Sequence, residues 1–171
     1  MLMWVLEAVT GQQISDLISG LLWQPMGADN DAEVTIDRHG NACADGGISA
    51  TLRDTALFGE SWRTAKAWNG QQLLPPRWIE ETIHPSALPA VQGHDSTTGA
   101  MTRTNSYYSR NWWIIDADRL LYAARGCCGQ ALYVDPITEI VIVLFSAWPE
   151  HTPEREHEVL EVVTSLAQAL S

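Results

Sequence analysis

Residues 111–149 decide how this chain is read. They run Asn111-Trp-Trp-Ile-Ile-Asp116, Ala124-Arg-Gly-Cys-Cys-Gly-Gln130, Leu132-Tyr-Val-Asp-Pro136 and Glu139-Ile-Val-Ile-Val-Leu-Phe-Ser-Ala-Trp-Pro149. These are strand-like runs joined by short turns, with a glycine-bracketed segment entering the middle strand. Such a meander edge lets backbone N–H groups face a ligand with no side chain between them. Adjacent Trp112 and Trp113 are expected to point to opposite faces of one strand.

Working outward, strands are expected at about Tyr107 to Ile115, Leu120 to Ala124, Ala131 to Val134 and Ile140 to Ser146. Asp135-Pro136 supplies the turn before the last of them. Thr152 as cap and Pro153 at the first helical position open a closing helix that runs to Leu170. Its apolar stripe is read as Val159, Leu160, Val163, Leu166 and Leu170.

Upstream, Leu2, Val5, Leu6 and Val9 mark a helix that ends at Gly11. It has no capping residue before it, which suggests a truncated chain. A second helix spans about Ile14 to Leu22, stopped by Pro25 and Gly27. Glu33 to Asp37 alternates like a short strand, and His39-Gly40-Asn41 is a turn. Ser49 or Thr51 caps a third helix whose buried side is Leu52, Ala56, Phe58 and Trp62, with Asp54 completing a capping-box-like arrangement. Pro76 opens a fourth, short helix through Trp78, Ile79 and Ile83. Residues 84–106 turn to Pro, Gly, Ser and Thr and read as a long loop, the kind that often walls a site. The sum is one α+β domain over residues 1–171: an antiparallel meander sheet with N-terminal helices and a covering C-terminal helix.

Composition bounds the function. At 171 residues with 46% hydrophobic content, the chain should bury roughly 70% of its extended surface. A net charge of −11 argues against nucleic acid or an anionic membrane as partner. Glu150, Glu154, Glu156, Glu158 and Glu161 read as a solvated helix face. There is no apolar run near the roughly 20 residues of a membrane span. The opening Met1-Leu2-Met3-Trp4-Val5-Leu6 lacks a basic segment and meets Glu7 early, so no signal peptide is read. Three cysteines make no disulfide framework, and a reducing, cytoplasmic setting is the simpler expectation.

Nucleophilic catalysis needs a hydroxyl or thiol beside a base. The single lysine, Lys66, has Arg63 three residues before it, which excludes Ser-x-x-Lys. Gly47-Ile48-Ser49 begins like a nucleophile elbow, but Thr51 stands where the final glycine belongs. Cys127 or Cys128 as a nucleophile requires a histidine close in space, and the flanking glycines favour a backbone role. A zinc site from His39, Cys43 and the cysteine pair matches no usual spacing. No cofactor or metal is called for.

With these motifs in hand, the chain resembles the C-terminal portion of the serine β-lactamase/penicillin-recognising superfamily, closest to 6-aminohexanoate-dimer (nylon-oligomer) hydrolases and class C-like esterases. The resemblance is carried, in order, by Trp4-Val5-Leu6-Glu7-x-Val9-Thr10-Gly11, Gln24-Pro25-Met26-Gly27, Gly46-Gly47-Ile48-Ser49-Ala50-Thr51-Leu52-Arg53-Asp54 and the 111–149 block. It implies amide or ester hydrolysis through an acyl-enzyme, using a Ser-x-x-Lys and a Tyr-x-Asn that these residues lack. It further implies that Ala124-Arg125-Gly126 takes the place of the Lys-Thr-Gly strand and that Cys127 offers its backbone N–H to the oxyanion. Cys128 and Gly129 would adjoin the substrate, glycines 126 and 129 would let it approach, and Asp45 would line the cleft. The substrate would be a small amide or ester, handled only when an N-terminal half complements the chain. Without that half, Ile140 to Ser146 is an uncovered edge expected to pair with another copy, unless the loop or first helix folds over it. The alternative function is a non-catalytic relative that binds a ligand or a partner chain.

Overall fold

The computed structural model describes residues 2–43, 46–85, 106–150 and 152–170. The expected loop at 84–106 falls almost wholly outside them, as does Asp45.

A five-stranded sheet forms the centre, with strands β3 (Tyr107–Ser109), β4 (Trp112–Asp116), β5 (Leu121–Gly126), β6 (Gln130–Asp135) and β7 (Ile140–Leu144) in sequential antiparallel order. It is the expected α+β meander, with one more strand. The run from Tyr107 to Ile115 folds back on itself, because Arg110 and Asn111 both take positive φ (47° and 69°). Two left-handed central residues make the tight hairpin whose twist matches its strands. Ser109 therefore faces Trp112 across the turn. At the other end of the meander, the Asp135 carboxylate accepts from the N–H groups of Ile137 and Thr138, each at 3.1 Å, closing the β6–β7 turn.

Helices cover both faces of the sheet. On one, α4 (Leu52–Thr64) and α5 (Pro76–Ile83) pack Phe58, Trp62 and Ile83 against Trp112, Ile114, Tyr122, Leu132 and Val134. Trp62 and Trp112 lie 4.7 Å apart by ring centroid, and Tyr122 meets Trp112 edge-on at 5.0 Å. On the other, α6 (Pro153–Leu170) lays Leu160 and Val163 on Ile115, Leu121, Ala123 and Tyr133. Trp112 and Trp113 do part to opposite faces.

Local chemistry sets the helix limits. Thr51 caps α4 by accepting from the Asp54 N–H at 3.1 Å, while its hydroxyl donates to the Asp54 carboxylate at 2.6 Å. Ser49 is not a cap but sits in a two-residue strand, β2 (Ile48–Ser49), paired with β1 (Glu33–Val34). The buried face of α4 runs through Phe58, Gly59 and Trp62, and Leu52 is 51% exposed. Similarly, α6 buries Glu156, Leu160, Val163 and Ala167, a 4-3-4 spacing that turns Leu166 and Leu170 outward.

Near the N-terminus, α1 (Leu2–Thr10) buries no side chain. The next helix does not stop at Leu22. It runs as α2 (Ile14–Ile18), widens into a π-helical turn (Ser19–Trp23), and continues as α3 (Gln24–Met26) to a left-handed Gly27. The wide turn places Pro25 in the first turn of a new segment, where its missing N–H costs nothing.

Candidate functional site

Where the π turn, β2 and α4 meet the end of β5 and the start of β6, a groove of about 450 Å³ opens. The π-helical side contributes Leu22 and Trp23, with Ile18 just before them. Ile48, Ala50, Thr55 and Phe58 line it as well. The sheet supplies Ala124, Arg125, Gly126, Gln130, Ala131 and Leu132, and Phe145 stands beyond the end of β7. The lining is predominantly apolar.

Ala124, Arg125 and Gly126 are all among the residues that line this groove. They pair in register with Leu132, Ala131 and Gln130. Alternation separates their side chains. Ala124 packs with the α4-face core. The Arg125 guanidinium instead pairs with the Glu156 carboxylate of α6 and lies 5.5 Å from the Trp113 ring. The arginine charge therefore serves the fold on the far side of the sheet, and its backbone is what it brings to the wall.

The chain leaves β5 through a 3₁₀ turn, Cys127–Gly129. Cys127 is exposed, Cys128 half-buried with left-handed φ of 58°, and Gly129 buried at φ 85°. None of the three is among the residues lining the groove; they follow directly on its wall. Glycine at 129 is required by a neighbour, since a Cβ there would stand 2.5 Å from the Trp148 ring. The Trp148 N–H donates to the Cys128 carbonyl at 3.1 Å, and the Gln130 amide donates to the Ser146 carbonyl, so the segment after β7 braces the turn. The two sulfurs lie 3.2 Å apart, and all three cysteines are free thiols. The Cys128 thiol is pushed above its ordinary range, first by its hydrogen bond to Cys127, then by the charge there, then by burial.

Sequence reasoning missed the other half of the groove. Ile18, Leu22 and Phe58 carried a core signal, and nothing in their spacing distinguishes a core from a cavity wall. Ser49 is exposed on β2. Among the described residues no group of three or more His, Cys, Asp and Glu side chains is arranged to hold a metal. None of the described helices is long and apolar enough to cross a membrane.

No protein-family model matches the chain. It is 32% identical over 156 residues to the 6-aminohexanoate-dimer hydrolase of Paenarthrobacter ureafaciens, an alignment covering 91% of this chain and 38% of that protein. A solved structure from Bacillus anthracis, provisionally assigned as a 6-aminohexanoate-dimer hydrolase, superposes with a TM-score of 0.82 at 27% identity. That match covers 99% of this chain and 42% of the other. The chain thus spans well under half the length of these relatives, both named as hydrolases. The resemblance to the C-terminal portion of a β-lactamase-like hydrolase holds in sequence and in fold.

Proposed function

We propose that this chain forms the oxyanion-donating wall of an amide- or ester-hydrolysing pocket, in an enzyme that works through a serine acyl-enzyme. The carrying observation is the groove wall Ala124–Gly126 leading directly to the exposed residue Cys127. As a serine hydroxyl attacks the substrate carbonyl, its oxygen takes on negative charge. A fixed peptide N–H at residue 127 meets that charge without reorganisation, and one such donor is typically worth about 2.7–4 kcal/mol in the transition state. Any side chain is compatible with the task, so cysteine at 127 is no obstacle.

The attacking hydroxyl belongs to residues outside these 171, which contain neither Ser-x-x-Lys nor Tyr-x-Asn. The substrate is a small amide or ester, bound once an N-terminal half is supplied. The chain alone should give no turnover of a chromogenic ester or a chromogenic β-lactam. Turnover by the pure chain that Cys127→Ala or Cys128→Ala abolishes would replace this reading with thiol catalysis.

A second reading has its own support. The groove is apolar and β7 ends the order of the described sheet with Phe145 beside it 45% exposed, features that suit a non-catalytic module binding a ligand or another chain. On either reading Ile140 to Ser146 pairs with a second copy or a companion segment. Light scattering at rising concentration should show association, and a monomer throughout would refute it. Free thiols suit a reducing, cytoplasmic setting.

A further inference from the structure

Neither the hydrolase reading nor the binding-module reading uses the two thiol side chains at the 3₁₀ turn. We propose that Cys127 and Cys128 form a chelating dithiol that captures a soft trivalent centre, of which a monosubstituted arsenical is the representative ligand.

Geometry favours a bridged pair over a bonded one. The sulfurs are 3.2 Å apart, well beyond the roughly 2.05 Å of a disulfide. Neighbouring Cα atoms across a trans peptide are only about 3.8 Å apart, shorter than the usual 4.4–6.8 Å span of a disulfide. Direct oxidation of this pair would therefore strain the turn. A single large, soft atom seated between the sulfurs needs no such contraction, and thiolates are the ligands such centres prefer.

The turn holds the pair ready. Cys128 is fixed in a left-handed conformation, its carbonyl receives the Trp148 N–H at 3.1 Å, and Gly129 is pressed against the Trp148 ring. Cys127 is exposed and Cys128 half-buried, so the sulfurs are reachable. No third His, Cys, Asp or Glu joins them among the described residues. That rules against a tetrahedral all-protein zinc site and suits a centre that brings one substituent of its own.

The chemistry balances without a redox partner. An arsenoxide R–As=O reacts with both thiols to give R–As bound to two sulfurs and one water. Two As–S bonds form, the As=O bond breaks, the two thiol protons leave in the water, and arsenic stays trivalent.

The test uses phenylarsine oxide on the intact chain, read by mass spectrometry. One arsenical should add per chain with loss of one water, survive excess monothiol, and be released by a dithiol. Trypsin should place it on the peptide from Gly126 to Arg155, which holds both cysteines and excludes Cys43. Cys127→Ser or Cys128→Ser should each abolish the monothiol-resistant adduct, and Cys43→Ser should leave it. The folded chain should bind about tenfold more tightly than the same chain in denaturant, because its two side chains are already aligned. An adduct on another peptide, one that persists in either single variant, or equal affinity folded and unfolded would overturn the proposal.

Discussion

The guanidinium of Arg125 on β5 and the carboxylate of Glu156 on α6 form an ion pair sealed under the covering helix, with the two side chains only 10% and 8% exposed. The strand that forms the groove wall is thereby tied to the opposite layer. Removing one partner of a buried pair leaves the other charge in a low-dielectric interior. Glu156→Ala should therefore cost about 3–5 kcal/mol, read as a lower urea midpoint. Combining Arg125→Met with Glu156→Leu removes both charges and keeps the volume, and should recover most of that loss.

Asp54 is fully buried and organises a loop as well as a helix. Its carboxylate accepts from the Asp29 N–H at 2.8 Å, from the Asn30 side-chain amide at 3.1 Å and from the Thr51 hydroxyl. These bonds, the one from Thr51 foremost, hold its carboxyl below the usual carboxylate range. Because the folded value is depressed, the stability is present above the ordinary carboxylate value. It is lost as pH falls through the folded one. Asp54→Asn should flatten that acid limb of stability against pH. Asp54→Ala should cost about 1–3 kcal/mol at neutral pH by leaving buried donors without an acceptor.

Gly59 sits mid-helix, where alanine would ordinarily gain about 0.5–1 kcal/mol. Here a Cβ would stand 2.6 Å from Val141 Cγ1 and 2.7 Å from Leu132 Cδ1. Leucine can yield, but the β-branched valine on β7 is stiff. Overpacking of about 1–3 kcal/mol outweighs the gain, so Gly59→Ala should lower the melting temperature.

The Cys128 thiol is pushed up chiefly by Cys127. In a Cys43→Ser background, Cys127→Ala should move the pH profile of Cys128 alkylation to lower values. An unchanged profile would mean that the neighbouring sulfur does not set it.

Much of this was legible in the sequence, and the failures share causes. The meander and α6 announced themselves through turn residues and caps: Asp135-Pro136, Thr152 and Pro153. The β3–β4 hairpin was hidden because Arg110-Asn111 carries no glycine, and the positive φ of Arg110 is imposed by the surrounding strands. Pro25 signalled a helix end, yet the π turn absorbed it. Of the groove lining, Ala124–Gly126 was singled out through the family resemblance, whereas Leu22 and Phe58 read only as core. Periodicity reports which side chains avoid water; it does not say whether they meet another side chain or an open groove.

The most direct test of the central claim puts this chain in place of the matching part of the Paenarthrobacter hydrolase. In that hybrid, the peptide link before residue 127 is replaced by an ester, which removes the N–H and leaves every side chain in place. The account predicts turnover of a chromogenic ester by the amide-linked hybrid. With the ester link, kcat should be about 10²–10³ lower. Equal turnover by the two would show that residue 127 does not stabilise the oxyanion.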